Sequence, residues 1–446
     1  MITTPRRRLL RAAAVTAVAA LALSACGGAS DDGKSSNTGG AKDVAAALKK
    51  GGTITVWAWE PTLKAVAKDF EAEHPNVKVK LVNAGTGNDQ YTALQNAVKA
   101  GKGVPDVAQI EYYALPQFSL AKSVADISSF GASGLDSTFT PGPWASVKQN
   151  NGIYGLPMDS GPMALFYNKE VFDKYKVAVP KTWDEYVTAA EKIHAANPKA
   201  YIANDIGDAG FTTSMIWQAG GQPFKVDGEK VSINLGDAGS KRFADTWQKL
   251  LDKKLLAPTA SWSDGWYKGL GDGTIATLTL GAWMPANLES GVKAGAGKWR
   301  VAPMPQWEAG ANATSENGGS SLAIPTASKN KALAYAFADY ATAGKGAQTR
   351  VDAGAFPATT KQINSPEFVN KKSDYFGGQE INKVLAASAE DVVKGWSYLP
   401  FQVYANSIFN DTVGKAYVSK TTLADGLQDW QKKSVSYGDQ QGFTVN

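Results

Sequence analysis

The chain has 446 residues and a formal net charge of +5, from 46 lysines and arginines against 41 aspartates and glutamates. Its single cysteine excludes an internal disulfide, and its two histidines leave few ligands for a transition metal. Four of the arginines lie in residues 1–25, which contain no acidic residue, so the remainder carries 5 − 4 = +1. A nearly neutral remainder lacks the basic surface that nucleic-acid binding needs, and we expect no nucleic-acid partner.

The first 26 residues predict export and a lipid anchor. Arginines at positions 6–8 and 11 precede an apolar stretch, Ala12–Leu23, that is too short to span a bilayer. The sequence Leu23-Ser24-Ala25-Cys26 resembles a bacterial lipobox, in which the cysteine sulfur receives a diacylglycerol and the chain is cleaved before it. We therefore predict a signal peptide over residues 1–25 and attachment to the outer face of the cell membrane through Cys26. The paired arginines are compatible with both the Sec and the twin-arginine export routes.

A polar segment follows the predicted anchor. Residues 27–40 are rich in Gly, Ser, Asp and Asn without apolar periodicity, which predicts a flexible tether over residues 26–50 and a fold that starts near Gly51. Roughly 400 residues remain, more than one hydrophobic core usually serves, so we expect two domains.

Strand and helix patterns alternate from Gly51 onward. The patterns predict a strand at Thr53–Trp57, a helix at 61–73, a strand at Val77–Val82, a helix at Tyr91–Ala100 and a strand at Pro105–Ile110. This alternation is typical of an α/β fold with mostly parallel sheets flanked by helices, in which ligands bind at the carboxyl ends of the strands. Trp59 and Glu60 follow the first strand, and Glu111 and Tyr112 follow the third.

A set of motifs farther along the chain points to one family. In chain order they are Asn151–Asp159, Leu165–Lys169, Pro180–Glu185, Leu280–Met284, Gly318–Pro325 and Lys331–Tyr340. Together they resemble the family 1 extracellular solute-binding proteins, a group that includes the maltodextrin-binding proteins. The resemblance implies a two-lobed receptor for an ABC importer with a ligand cleft between the lobes. It also implies that the chain crosses between lobes, giving a first lobe of 51–158 and 305–357 and a second of 159–304 and 358–446.

The thirteen tryptophans favour a sugar ligand. The C–H face of a pyranose stacks on an indole, while sugar hydroxyls need carboxylate, amide or backbone partners. On this basis the predicted ligand-binding residues are Trp59, Glu60, Glu111, Tyr112, Asp159, Trp217, Trp283 and Trp396. For Trp283 the resemblance adds that relatives stack a tryptophan on sugar at this position. Trp183 follows Thr182 in a predicted capping box with Glu185, so we interpret it as structural.

No catalytic motif assembles in the sequence, and we predict a binding protein that needs no cofactor or metal. The predicted function is capture of a mono- or oligosaccharide outside the cell and its delivery, by a monomer, to the permease subunits of an ABC importer. Because the chain has no Walker loop, a partner would hydrolyse ATP. Two alternatives stay open, namely a receptor for a polyol, polyamine, phosphodiester or other small solute, and an anchored glycoside hydrolase with two carboxylates across the bond that is cut.

Overall fold

The computed structural model describes residues 40–149 and 151–446. The predicted signal peptide, Cys26 and most of the predicted tether lie outside the described residues. Every helix in the described ranges is too short or too polar to cross a membrane.

The strands come from all parts of the described chain. They are β1 (Gly52–Trp57), β2 (Val77–Val82), β3 (Val107–Glu111), β4 (Lys148–Gln149), β5 (Gly152–Ile153), β6 (Leu156–Pro157), β7 (Met163–Asn168), β8 (Ala203–Asn204), β9 (Phe224–Asp227), β10 (Lys230–Ile233), β11 (Leu256–Ala257), β12 (Thr277–Gly281), β13 (Trp299–Ala302), β14 (Ser320–Ala323) and β15 (Thr444–Val445).

The helices lie between and after these strands. They are α1 (Ala41–Lys50), α2 (Leu63–Glu73), α3 (Asn88–Ala100), α4 (Leu115–Leu120), α5 (Pro141–Ser146), α6 (Lys169–Tyr175), α7 (Trp183–Ala196), α8 (Ala209–Gln218), α9 (Ala238–Asp252), α10 (Asp264–Asp272), α11 (Met284–Gly291), α12 (Lys331–Thr342), α13 (Lys345–Asp352), α14 (Thr360–Ile363), α15 (Pro366–Val369), α16 (Ile381–Glu390), α17 (Gln402–Ser407), α18 (Lys415–Val418) and α19 (Leu423–Gln440).

The first five predicted elements are confirmed as β1, α2, β2, α3 and β3. Strand β1 is parallel to both β2 and β3, as the alternation predicts. The sheet then continues in the order β2-β1-β3-β14-β6, and β14 is antiparallel to both of its neighbours. A first core of buried side chains covers this sheet, including Ile54, Val56, Ile110, Leu322 and Phe337.

A second sheet has the order β12-β7-β13, and both strand pairs are antiparallel. The expectation of a mostly parallel sheet in both lobes is therefore wrong here, because β12 and β13 return beside β7 from distant parts of the chain. Successive side chains of a strand point to opposite faces. Met163 and Leu165 of β7 accordingly join a second core with Trp183 and Trp247, whereas Ala164 and Phe166 join a third core. This third core contains Trp266, Leu278, Trp299 and Phe376.

Helix α1 corrects the predicted extent of the tether. Residues 41–50 are helical, and Val44, Ala47 and Leu48 pack against the first core. Their i, i+3, i+4 spacing gives the helix one apolar stripe, and packing of that stripe stabilises a segment that composition made look unstructured. The fold therefore begins about one helix before Gly51.

Two chain segments link the first sheet to the second. Residues 158–163 lead from β6 to β7, and residues 314–320 lead back to β14; we call these two segments the crossing pair. They run antiparallel: the amide of Met158 donates to the Ser320 carbonyl at 2.9 Å, that of Asn317 to Gly161 at 2.8 Å, and that of Met163 to Ser315 at 2.9 Å. The crossing pair thus joins the cores through its own backbone hydrogen bonds.

Candidate ligand-binding site

A cavity of about 590 Å³ lies where β3, the crossing pair and the segments around α8, α10 and α17 meet. Residues from the first sheet and from the neighbourhood of the second and third cores therefore share one space. The aromatic and acidic side chains of its lining are Tyr113, Phe211, Trp247, Trp262, Trp266, Trp283, Tyr398, Phe409, Glu111, Asp205 and Asp208.

Three tryptophans form a contiguous aromatic wall. The ring centroid of Trp262 lies 4.9 Å from that of Trp266 and 5.9 Å from that of Trp283. The indole nitrogen of Trp266 donates to Asn204 Oδ1 at 2.7 Å, and that of Trp283 donates to the Asn317 carbonyl at 2.7 Å. The protein thus already satisfies both N–H groups. Trp283 is half-buried and presents apolar ring surface to the cavity, whereas Trp266 is 1% exposed and supports the wall from behind.

Trp262 has an unusual backbone and an unusual exposure. Its φ is +68°, a left-handed conformation that is rare for a residue with a bulky side chain. The residue is 49% exposed, so a large apolar ring faces solvent at the rim of the cavity. Backbone strain of this kind costs of order 1–3 kcal/mol and tends to cluster at functional sites. Burial of the ring against a ligand is one way to offset that cost.

Glu111 ends β3 and points an acidic group into the cavity. The Tyr91 hydroxyl donates to its Oε2 at 2.8 Å, and Tyr113 also hydrogen-bonds its carboxylate. Loss of hydration raises the pKa of Glu111 to about 7, an effect that the two tyrosines oppose and that the nearby carboxylates of Asp159 and Asp208 reinforce. Glu111 can therefore change its charge near neutral pH.

The Asn204–Asp208 loop supplies the other two carboxylates. Asp205 accepts hydrogen bonds from the Gly207 amide at 2.8 Å, the Trp247 indole at 2.8 Å and the Tyr417 hydroxyl at 2.9 Å. Burial nevertheless raises its pKa to about 6. Asp208 is the N-cap of α8 and accepts from the Phe211 amide. Both carboxylates thus fix the loop, and no three His, Cys, Asp or Glu side chains of the described residues gather as a metal site.

Of the eight predicted site residues, Glu111 and Trp283 line the cavity. The other six lie outside its lining, namely Trp59, Glu60, Tyr112, Asp159, Trp217 and Trp396. Trp59 packs beside the first core with its ring edge-to-face to Tyr91, centroids 6.3 Å apart. Trp59 does not line the cavity itself, but it contacts Tyr91, whose hydroxyl donates to Glu111. Its ligand-binding role stays a prediction.

Three further predicted residues gather around a buried arginine near the crossing pair. Arg350 is 2% exposed, lies 3.7 Å from Glu60 Oε2, and donates to the Met158 carbonyl. Asp159 accepts from the Ser320 amide at 2.6 Å, and its own carbonyl accepts from the Tyr112 hydroxyl at 2.6 Å. Burial raises the pKa of Asp159 to about 6, against the opposing charge of Arg350. These contacts connect the crossing pair to β3 and α13.

Trp217 and Trp396 stack on each other rather than on the cavity wall. Their rings are nearly parallel, at 6°, with centroids 5.1 Å apart. The Trp217 indole donates to the Val393 carbonyl at 2.6 Å, and its side chain is buried. Trp396 also meets Tyr398 edge-to-face at 5.9 Å, and Tyr398 does line the cavity.

The N-terminus of α7 confirms most of the predicted capping box. Thr182 Oγ1 accepts from the Glu185 amide at 3.2 Å, and Trp183 is buried in the second core. The Glu185 carboxylate, however, accepts a hydrogen bond from the Lys181 amide at 2.7 Å and not from the Thr182 amide. The structural interpretation of Trp183 is confirmed.

Trp262, Trp266, Tyr398 and the Asn204–Asp208 loop line the cavity but are absent from the predicted set. The segment Ser261–Trp266 carries two tryptophans within a polar stretch, and this was the available signal. The left-handed backbone of Trp262 and the contacts of Asp205 with Trp247 and Tyr417 join distant segments, which no local pattern reports.

The family model of the bacterial extracellular solute-binding proteins matches residues 58–348. The chain therefore belongs to this family, and its fold is the two-lobed, mixed helix and sheet architecture of these binding proteins. A curated relative, the lactose-binding protein of Rhizobium radiobacter, is 26% identical over 353 residues, or 74% of this chain and 80% of that protein.

Two solved structures superpose closely. One is the ABC transporter associated binding protein from B. animalis subsp. lactis Bl-04 in complex with β-1,6-galactobiose, with 49% identity, a TM-score of 0.80, and coverage of 88% of this chain and 99% of that one. The other is the galacto-N-biose/lacto-N-biose I-binding protein from Bifidobacterium longum in complex with lacto-N-biose. Its identity is 29%, its TM-score is 0.79, and the match covers 89% of this chain and 99% of that one.

Proposed function

We propose that the protein captures a carbohydrate in this cavity, outside the cell, and delivers it to the permease of an ABC importer. The observation that carries the proposal is the aromatic wall of Trp262, Trp266 and Trp283, which shares a cavity of about 590 Å³ with Glu111. This volume falls within the range of small-molecule sites.

The chemistry of the lining suits a pyranose ring. Apolar indole surface provides stacking for the C–H face of a sugar, and Trp262 exposes such surface at the rim. Glu111 has capacity to accept from sugar hydroxyls beyond its two tyrosine donors, since a carboxylate offers about four acceptor positions. The amide side chains of Asn88 and Asn410 lie in the same lining.

The relatives favour a galactoside. The two solved structures hold β-1,6-galactobiose and lacto-N-biose, and a curated relative is named for lactose. Identity of 49% over nearly the whole of one of these proteins supports carrying its ligand class to this chain. We propose a galactose-containing oligosaccharide as the ligand.

We assign direct ligand contacts to Glu111 and Trp283 from the predicted set and add Trp262. Trp59, Glu60, Tyr112, Asp159, Trp217 and Trp396 would then position these residues or the crossing pair. Lobes of 51–158 with 305–357 and 159–304 with 358–446 remain our proposal, supported by the path of the crossing pair, and α1 would extend the first lobe. Lipid attachment at Cys26 and a monomeric state are also proposed.

The first test is thermal unfolding of the purified protein against β-1,6-galactobiose, lactose, maltose, a polyol and spermidine. A ligand that binds only the folded state raises the midpoint by mass action. We expect a saturable rise with the galactosides. A rise with spermidine alone, or none with any solute, would contradict the sugar assignment.

A second test addresses the hydrolase alternative. The purified protein is incubated with galactosides, and released reducing sugar is measured over time. We expect no release above the rate of a protein-free control, whereas release in proportion to protein concentration would assign catalysis.

A further inference from the structure

In the part of the chain that the structure describes, the lining of the cavity contains acidic side chains and no basic side chain to balance their charge. Glu111, Asp205 and Asp208 contribute carboxylates, and none of the described residues of the lining is a lysine or an arginine. Arg350, the buried cation near the crossing pair, lies outside the lining, where it donates to the Met158 carbonyl and has its Nε 3.7 Å from Glu60 Oε2. A ligand carrying a negative charge would therefore meet carboxylates and no cation.

The three carboxylates differ in how freely they can respond to a ligand. Asp205 already receives three hydrogen bonds, and Asp208 caps α8. Glu111 receives hydrogen bonds from Tyr91 and Tyr113, so acceptor positions are left for hydroxyl donors of a ligand. Glu111 is thus the carboxylate best placed to recognise hydroxyl groups and to repel anions.

We propose that the cavity selects its ligand by charge, admitting neutral saccharides and rejecting those with a carboxylate, sulfate or phosphate, and that Glu111 sets this selection. The proposal rests on the proposed carbohydrate function and adds the chemical class within it. The repulsion between two charges about 6 Å apart at an effective dielectric of about 20 corresponds to roughly 100-fold in affinity.

The selection depends on pH in a stated direction. Burial raises the pKa of Glu111 to about 7, so the side chain is charged above that pH and increasingly neutral below it. An anionic sugar is then rejected most strongly above about pH 7, and less so as the pH falls. The titratable groups that face Glu111 are Tyr91, Tyr113, Asp159, Asp208 and Tyr398. None of these carries a positive charge, so none offsets the repulsion.

The experiment compares two ligands of equal size. β-1,6-Galactobiose is oxidised at C6 of its terminal galactose to a uronate, and a portion is converted to the neutral uronamide. Calorimetric titration gives the affinity of the protein for the parent sugar, the uronamide and the uronate at about pH 8 and about pH 5.5, where the sugar carboxylate stays ionised. We expect the uronamide to bind about 100-fold more tightly than the uronate at the higher pH, and the ratio to shrink at the lower pH.

The variant Glu111→Gln removes the charge at constant size and should reduce both the ratio and its pH dependence. Glu229→Gln is the matched control, because Glu229 is exposed and outside the lining, and should leave both unchanged. Two outcomes in the unaltered protein would overturn selection by charge but leave the carbohydrate function standing. One is equal affinity for uronate and uronamide, and the other is binding of the parent sugar with no binding of either derivative. Failure of the parent sugar and every other saccharide to bind would overturn both.

Discussion

At the scale of single residues, Arg350 shows how a buried charge organises this fold. Its guanidinium lies 3.7 Å from Glu60, donates to the Met158 carbonyl, and acts on Asp159 across the crossing pair. Removing one partner of a buried pair leaves the other charge without compensation, which costs about 3–5 kcal/mol.

Arg350→Met should therefore lower the free energy of unfolding by about 3–5 kcal/mol, measured by urea denaturation. Arg242→Met is the control, because Arg242 pairs with Glu308 at 2.9 Å on the surface, where both side chains are largely exposed. That change should cost less than about 1 kcal/mol. Similar losses for both variants would show that Arg350 has no special structural role.

Trp262 invites a test of which tryptophans contact ligand. Trp262→Ala should weaken galactoside binding by about fivefold or more, since stacking on an aromatic ring contributes about 1 kcal/mol or more. The melting temperature of this variant should fall only modestly, because the ring is 49% exposed and, among the rings of the described residues, contacts Trp266, Tyr267 and Trp283 alone.

Trp59→Ala, a change at a predicted site residue outside the lining, should weaken binding less than Trp262→Ala. The reason is that Trp59 acts on the ligand only through the position of Tyr91 and Glu111. Both affinities are measured by calorimetric titration. A larger loss of affinity in Trp59→Ala than in Trp262→Ala would support Trp59, as the sequence predicts, as the residue that contacts the ligand.

At the scale of elements, the crossing pair depends on close contact between two backbones. A Cβ built on Gly161 would lie 2.3 Å from the Asn317 carbonyl oxygen, which is shorter than any real contact. Gly161 is therefore required for steric room, because its neighbours across the pair are backbone atoms that cannot rotate away.

Gly161→Ala should destabilise the protein by about 1–3 kcal/mol or more through overpacking. Gly134→Ala is the matched control, since nothing lies within 4 Å of its Cβ position and its φ is not positive. That variant should be neutral or slightly stabilising. Equal melting temperatures for the two variants would mean that the crossing pair can separate without cost.

Strand and helix patterns predicted β1 to β3 and their intervening helices, because one apolar face per element is a local property of the sequence. The same reasoning failed for α1, where a short apolar stripe gains its helix from packing against the first core. It also failed for the direction of the second sheet, which depends on β12 and β13 returning to β7 over more than 100 residues of chain.

At the scale of the whole molecule, several carboxyl groups are buried around the crossing pair and the cavity. Glu316 is 1% exposed and accepts from the Ser160 hydroxyl and the Gly161 amide, and burial raises its pKa from 4.5 to about 7. Burial also raises the pKa of Glu111 to about 7 and the pKa of Asp159 to about 6. The folded protein therefore holds protons that the unfolded chain releases.

Because burial raises the pKa of each of these groups, each makes the free energy of unfolding fall as the pH rises. Because the folded pKa of Glu316 exceeds the unfolded value, its contribution to the unfolding free energy is largest below about pH 4.5 and is lost between about 4.5 and 7. Urea denaturation across this window should show stability falling as pH rises, by up to about 3 kcal/mol for this group. Glu316→Gln should flatten the fall, whereas Glu71→Gln, at a half-buried group whose pKa is lowered, should not. A slope that is unchanged in Glu316→Gln would assign the titration elsewhere.

The sequence by itself determined the α/β class, the family motifs and two of the residues that line the cavity, Glu111 and Trp283, while the export segment stays a prediction. Each of these depends on neighbours within a few positions, such as the end of a strand or the residues of a motif. Only the tertiary structure decided that Trp262 stands at the rim in a left-handed conformation and that Glu60 serves Arg350. It also decided that the cavity holds three carboxylates without a cation among its described lining residues, because charge balance there depends on contacts between segments far apart in the chain.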